Sequence, residues 1–165
     1  MPRVALYLYY LKSLLTVVNK VFNVTQVEFH ILESKQGEEQ YLRLVGLLVQ
    51  KLYKQGRKVY VHAKDQAQAH AIDEWLWTQD LEDFIPHNLV GEGPNKPPPV
   101  QVGYQHPPEN QHDTLVNLSN HLQDFFSYFL QCLEVIPNNE LEKEAARERY
   151  KLYRSRGYPM KHKKY

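Results

Sequence analysis

The chain has 165 residues, 42% of them hydrophobic and 24% charged, with a formal net charge of +1. That length suits one domain with a proper core, and the near-neutral balance excludes a protein that coats nucleic acid with its whole surface. One cysteine, Cys132, excludes a disulfide-stapled fold and reads as a buried structural thiol in a reducing cytoplasm.

The charge is unevenly placed. Residues 138–165 hold nine Lys or Arg against four Asp or Glu, while residues 1–137 hold eleven against fifteen. The basic character is therefore local, and so is the partner it would attract.

Residues 1–23 are apolar and rich in Leu, Val and Tyr. Lys12 and Lys20 break the run, so no charge-free stretch of about 18 residues exists for a membrane span. No small-residue cleavage site follows, which argues against a signal peptide. The segment reads as a helix packing on the domain, an interfacial helix, or no part of the working protein; we expect the last, with Val24 as an alternative start. The expected domain is 24–157, followed by a basic tail, 158–165.

Val27, Phe29 and Ile31 alternate with Glu28 and His30, which predicts a first strand over Thr25–Leu32, with His30 as a strand-surface side chain. Tyr41, Leu44, Val45, Leu48 and Leu52 recur at helical spacing, and Gly56 stands where a left-handed C-cap is wanted. Val59–Ala63 reads as a second, buried strand. Asp65 then offers an N-cap, with Gln68 at the capping-box position, to a helix reaching about Thr78. This strand–helix–strand–helix order indicates an α/β domain with a largely parallel sheet.

Asp80–Pro99 has five prolines, two glycines and no period. So long a connection is functional or mobile in most compact domains. Its Phe84, Ile85, Leu89 and Val90 either pack on the sheet or belong to a docking surface. Val100–Tyr104, Thr114–Leu118 and Leu133–Ile136 read as the third, fourth and fifth strands. Gln123–Phe129 is aromatic-rich. After Pro137, Asn139 caps a last helix, with Glu142 at the box position.

On that helix Lys143, Arg147, Tyr150, Lys151 and Arg154 share one face, four cations around one ring. Such a face is either an ordinary solvated surface or a site for an acidic, partly apolar partner.

No catalytic pattern emerges. There is no Gly-rich phosphate loop, Walker motif or nucleophile elbow. Gly91-Glu92-Gly93 matches half of a dinucleotide fingerprint but sits in the Pro-rich loop and reads as a turn. The histidines lack metal spacing. No catalytic, cofactor or metal residue is assigned.

Three stretches carry a family resemblance: Ile72-Asp73-Glu74-Trp75-Leu76-Trp77, Asp83-Phe84-Ile85-Pro86-His87-Asn88-Leu89-Val90-Gly91-Glu92-Gly93-Pro94, and Ala146-Arg147-Glu148-Arg149-Tyr150-Lys151-Leu152-Tyr153-Arg154. From about Thr25 to Gly157 the chain resembles the chi subunit of bacterial DNA polymerase III holoenzyme. The resemblance implies a single-domain, three-layer Rossmann-like α/β sandwich that binds no dinucleotide and is not an enzyme by itself. It implies a cytoplasmic protein of the nucleoid-associated replisome, reaching DNA indirectly and touching no membrane. Its partners would be the psi subunit, which tethers chi to the clamp loader, and the acidic C-terminal tail of single-stranded DNA-binding protein (SSB). Some members are thought to pair with a helicase through the psi-binding surface.

The resemblance also implies site residues. Arg147 would meet the tail's carboxylates, with Tyr150, Lys151, Lys143 and Arg154 beside it and Ile136 in an apolar pocket. Trp77 and Phe84 would form the psi surface. A tail of aspartates ending in Pro-Phe suits a guanidinium beside a small apolar pocket. Trp75 departs from the family pattern, where a small residue is expected, and implies a reshaped docking surface. Two alternatives of other classes remain: a nucleotide-dependent enzyme on a Rossmann-like frame, and a direct single-strand binder using the basic helix and its tyrosines.

Overall fold

The computed structural model describes residues 24–34, 37–78, 84–109 and 112–165; the expectation for 1–23 lies outside the described residues. The elements in chain order are β1 (Gln26–Ile31), α1 (Gly37–Lys54), β2 (Val59–His62), α2 (Gln66–Thr78), β3 (His87–Leu89), β4 (Val100–Gly103) and β5 (Thr114–Asn117). A 3₁₀ turn (Asp124–Tyr128), β6 (Gln131–Ile136), α3 (Glu140–Ser155) and β7 (Met160–Lys164) complete them. The strands form one sheet in the order β3-β4-β2-β5-β6-β1-β7, and every pairing is parallel. The α/β expectation holds, and the sheet is parallel throughout.

Strand alternation divides the core into two layers. Val59, Val61, Val100, Val102, Val116, Leu133 and Val135 face α1 and α2. Val27, Phe29, Tyr60, Leu115, Cys132 and Ile136 face α3 and the 3₁₀ turn, whose Phe125 and Phe126 are buried. The result is a helix–sheet–helix sandwich with β1 and β6 running beneath α3.

Local signals act where the sequence places them. Gly56 takes φ +72° after α1, a conformation that glycine adopts without steric cost. The Gln68 N–H donates to Asp65 Oδ1 at 2.8 Å. The Gln68 side chain closes the turn through the Lys64 N–H rather than that of Asp65. Asn139 Oδ1 accepts from the Leu141 and Glu142 N–H groups, and the Asn139 N–H turns back to the Pro137 carbonyl at 2.8 Å. The cap is present, and the reciprocal half of the box is taken over by the backbone.

Two strands were not foreseen. β3 is only three residues long and lies inside the Pro-rich connection. β7 reads MKHKK, with no apolar alternation, because it is an edge strand with exposed side chains. Its residues, expected to be a tail, pair with β1 from Val27↔Met160 to Ile31↔Lys164. Tyr165 anchors the end: its hydroxyl lies 2.9 Å from His30 Nδ1. His30 is consequently buried, not a surface side chain. Its ring holds the neighbouring Glu28 carboxyl below the usual carboxylate range.

Candidate functional site

α3 carries two arginines with opposite roles. Ala146, Arg149 and Tyr153 follow helical spacing and are the buried residues of the helix. The Arg149 guanidinium reaches the Glu134 carboxylate at 3.0 Å and donates to the Asn120 carbonyl at 2.8 Å. The Tyr153 hydroxyl donates to Glu134 Oε1 at 2.7 Å, and the Asn117 amide donates to both carboxylate oxygens. Every oxygen of this fully buried acid is thus engaged, which a buried charge requires. The network clamps α3 to β6. Burial beside Glu134 also pushes the Cys132 thiol far up, so it remains a neutral, structural group.

Arg147 is two residues away and faces the other way. It is exposed and lines a groove of about 660 Å³ between α3 and the β1–β7 edge. Phe29, Ile31, Ile136 and Ala146 make its apolar floor. Lys143, Arg147, Tyr150 and Lys151 form the helix wall, while Glu33, His162 and Lys164 form the opposite side. Tyr150 stands edge-on over Phe29, with ring centres 5.5 Å apart. The structure therefore gathers Lys143, Arg147, Tyr150, Lys151 and Ile136 into one cleft. Arg154 is exposed but does not line it.

The cations around the groove are not equally available. Lys143 Nζ is held by Asn138 and lies 3.5 Å from Glu140. Lys151 pairs with Glu148 at 2.7 Å, and Lys164 with Glu33 at 2.7 Å. An acidic ligand must exchange these surface pairs for its own carboxylates, which is a small cost because exposed pairs are weak. Beside those cations the floor is apolar, a surface that a carboxylate alone would not use. His162 and Lys164 escaped sequence reasoning because β7 itself did.

The second pair of candidate residues also meets. Trp77 at the end of α2 and Phe84 are 57% and 64% exposed, with ring centres 5.6 Å apart. Trp77 rests on the buried His87 ring at 4.6 Å. His87 is fixed in turn by the Ile85 carbonyl and faces Asp73 at 3.6 Å. Burial raises the Asp73 carboxyl above its usual range. The stretch that carries Phe84 is split in its behaviour: Ile85 is buried in the core while Phe84 is left out. Gly91 and Gly93, at φ +92° and +86°, form a turn around Asn88, whose amide donates to the Glu92 carbonyl. A Cβ at Gly93 would lie 2.8 Å from that amide, so the Gly-Glu-Gly motif serves a turn.

Trp75, the departure from the family pattern, is not on this surface. Its ring packs where a side chain on Gly46 of α1 would otherwise sit. Among the described residues, no group of three or more His, Cys, Asp or Glu could hold a metal ion, and no helix is long and apolar enough to cross a membrane.

A model of the family described as "DNA polymerase III chi subunit, HolC" matches residues 24–161. Three relatives carry the name DNA polymerase III subunit chi. The Pseudomonas aeruginosa protein is 34% identical over 137 residues, 83% of this chain and 94% of the relative. The Escherichia coli K12 protein is 35% identical over 117 residues, 70% of this chain and 80% of the relative. The Haemophilus influenzae protein is 37% identical over 112 residues, 67% of this chain and 78% of the relative.

Proposed function

The chain belongs to the chi-subunit family of DNA polymerase III, and from that premise we propose that it serves DNA replication as a non-catalytic accessory subunit bridging the psi subunit and the C-terminal tail of SSB. The observation that carries the tail reading is the α3 groove, where Arg147, Lys143 and Lys151 surround an apolar floor. Arg147 would take the tail's carboxylates through charge-assisted bonds. Phe29, Ile31, Ile136 and Ala146 would receive its aromatic ring, with Tyr150 closing over it. An arginine beside a buried aromatic contact is the usual composition of a binding hot spot.

Psi would dock on Trp77 and Phe84. Two large rings left exposed in mutual contact are surface that a partner gains by covering. The two surfaces belong to opposite margins of the sheet, since Trp77 rests on β3 and the groove borders β7. One molecule could therefore hold both partners at once. A helicase contact would use the Trp77–Phe84 surface in place of psi. The working place would be the cytoplasmic replisome, with DNA reached through SSB.

The test is calorimetric titration with an SSB-tail peptide. Arg147→Ala should lose about 2 kcal/mol or more, at least about 30-fold in affinity, and affinity should fall with salt. Unchanged affinity in that variant would refute the site.

A further inference from the structure

β7 contributes more to the groove than two side chains. Among the described residues it is the last strand of the sheet and pairs only with β1. At one end the Val27 N–H donates to the Pro159 carbonyl at 3.0 Å; at the other the Tyr165 N–H donates to the Ile31 carbonyl at 2.9 Å. Parallel pairing between these ends turns the amides and carbonyls of 161, 163 and 165 toward β1. Those of Met160, His162 and Lys164 point off the sheet. The side chains of His162 and Lys164 line the groove. Among the described residues, one strand thus presents unpaired backbone donors and acceptors at the rim of the cleft that its side chains help to form.

We propose that the free edge of β7 takes the acidic peptide as an added strand, so that the groove grips the ligand's backbone as well as its side chains. The inference rests on the tail reading above and specifies how that same site holds its ligand. Added strands are a common mode of peptide recognition, in which main-chain bonds give affinity and flanking pockets give specificity. Here the pocket is the floor of Phe29, Ile31 and Ile136, and the upstream acidic residues run along the edge. Exposed edges invite indiscriminate pairing, and lysines normally guard them. Lys161, Lys163 and Lys164 would repel a second copy of β7 laid against the first, because like charges across strands are unfavourable. The same lysines favour an acidic strand. The edge is also preformed, held by the Tyr165–His30 contact and by the Glu33 N–H, which donates to the Tyr165 carbonyl at 2.8 Å.

The experiment uses the full chain and a synthetic peptide of aspartates ending in Pro-Phe with a free carboxylate. Each aspartate is N-methylated in turn, which removes one backbone donor and keeps the charge. Alternate positions should weaken binding about tenfold, the worth of one lost hydrogen bond, and the intervening positions little. In parallel, amide exchange followed by NMR should show new protection at His162 and Lys164 when the unmodified peptide is bound. Equal effects at all positions, or no new protection, would overturn the added strand while leaving an Arg147-dependent tail site intact. Failure of the unmodified peptide to bind would overturn both readings. Amides already protected in free protein by a dimer that dissociates on dilution would assign the edge to a second copy and overturn the proposal.

Discussion

The Arg149 guanidinium meets the Glu134 carboxylate at 3.0 Å in a position closed to water, two residues along the helix from the exposed Arg147. The same residue type thus does two jobs on one helix. Breaking a buried pair strands a charge, and about 3–5 kcal/mol is the usual cost. Arg149→Ala should lose stability on that scale in urea unfolding. Arg147→Ala should stay within about 0.5 kcal/mol of the parent, as surface changes do. A small effect of Arg149→Ala would mean that the clamp between α3 and β6 is not what holds the helix.

Gly46 and Trp75 are complementary across α1 and α2. A Cβ at Gly46 would come within 2.0 Å of the Trp75 ring. Helix propensity alone favours Ala over Gly by about 1 kcal/mol, yet overpacking of this kind costs about 1–3 kcal/mol. Gly46→Ala should therefore lower the melting temperature. In a Trp75→Leu background, where the ring is gone, the same change should raise it.

His62 and His112 are both held down to about 4 by burial. They stay neutral in the fold, whereas the unfolded chain takes up protons at about pH 6.5. Between about pH 6.5 and 4 the unfolded state binds more protons, so stability is full above that window and falls as the pH drops through it. The urea midpoint should decline from pH 7 to pH 5, and His62→Gln should flatten the decline. A parent midpoint independent of pH would contradict the burial of these rings.

Among the described residues Glu33 is the one acid lining the α3 groove, and Lys164 neutralises it. An acidic peptide bound in the groove would compete for that lysine. Glu33→Gln should release Lys164 and tighten tail-peptide binding several-fold at low salt, with the gain fading as salt rises. A weaker complex would show that the pair positions Lys164 rather than occupying it.

Much of the fold was legible because it rests on periodicity. Val27, Phe29 and Ile31 announced β1, and the Tyr41–Leu52 stripe announced α1. Asn139 marked the start of α3. What escaped was structure held by neighbours rather than by pattern. β3 lies among prolines and survives because β4 pairs with it. β7 is lysine-rich because it is an edge, so its composition reads as a tail. The groove was half legible: the helix face showed Lys143, Arg147, Tyr150 and Lys151, but the opposite wall depended on β7. Arg154 shares the helix spacing yet falls outside the cleft, since a face is longer than a pocket. Arg149 could be seen beside Ala146 and Tyr153 on one stripe. Its acid, Glu134, sits in an apolar strand run, and nothing local links the two.

Two separate surfaces would let one molecule hold psi and the SSB tail together. The direct measurement is sedimentation of the full chain mixed with psi and a labelled tail peptide. One complex containing all three is expected. Arg147→Ala should release only the peptide, and Trp77→Ala with Phe84→Ala should release only psi. Displacement of one partner by the other, or loss of both with either change, would contradict that expectation.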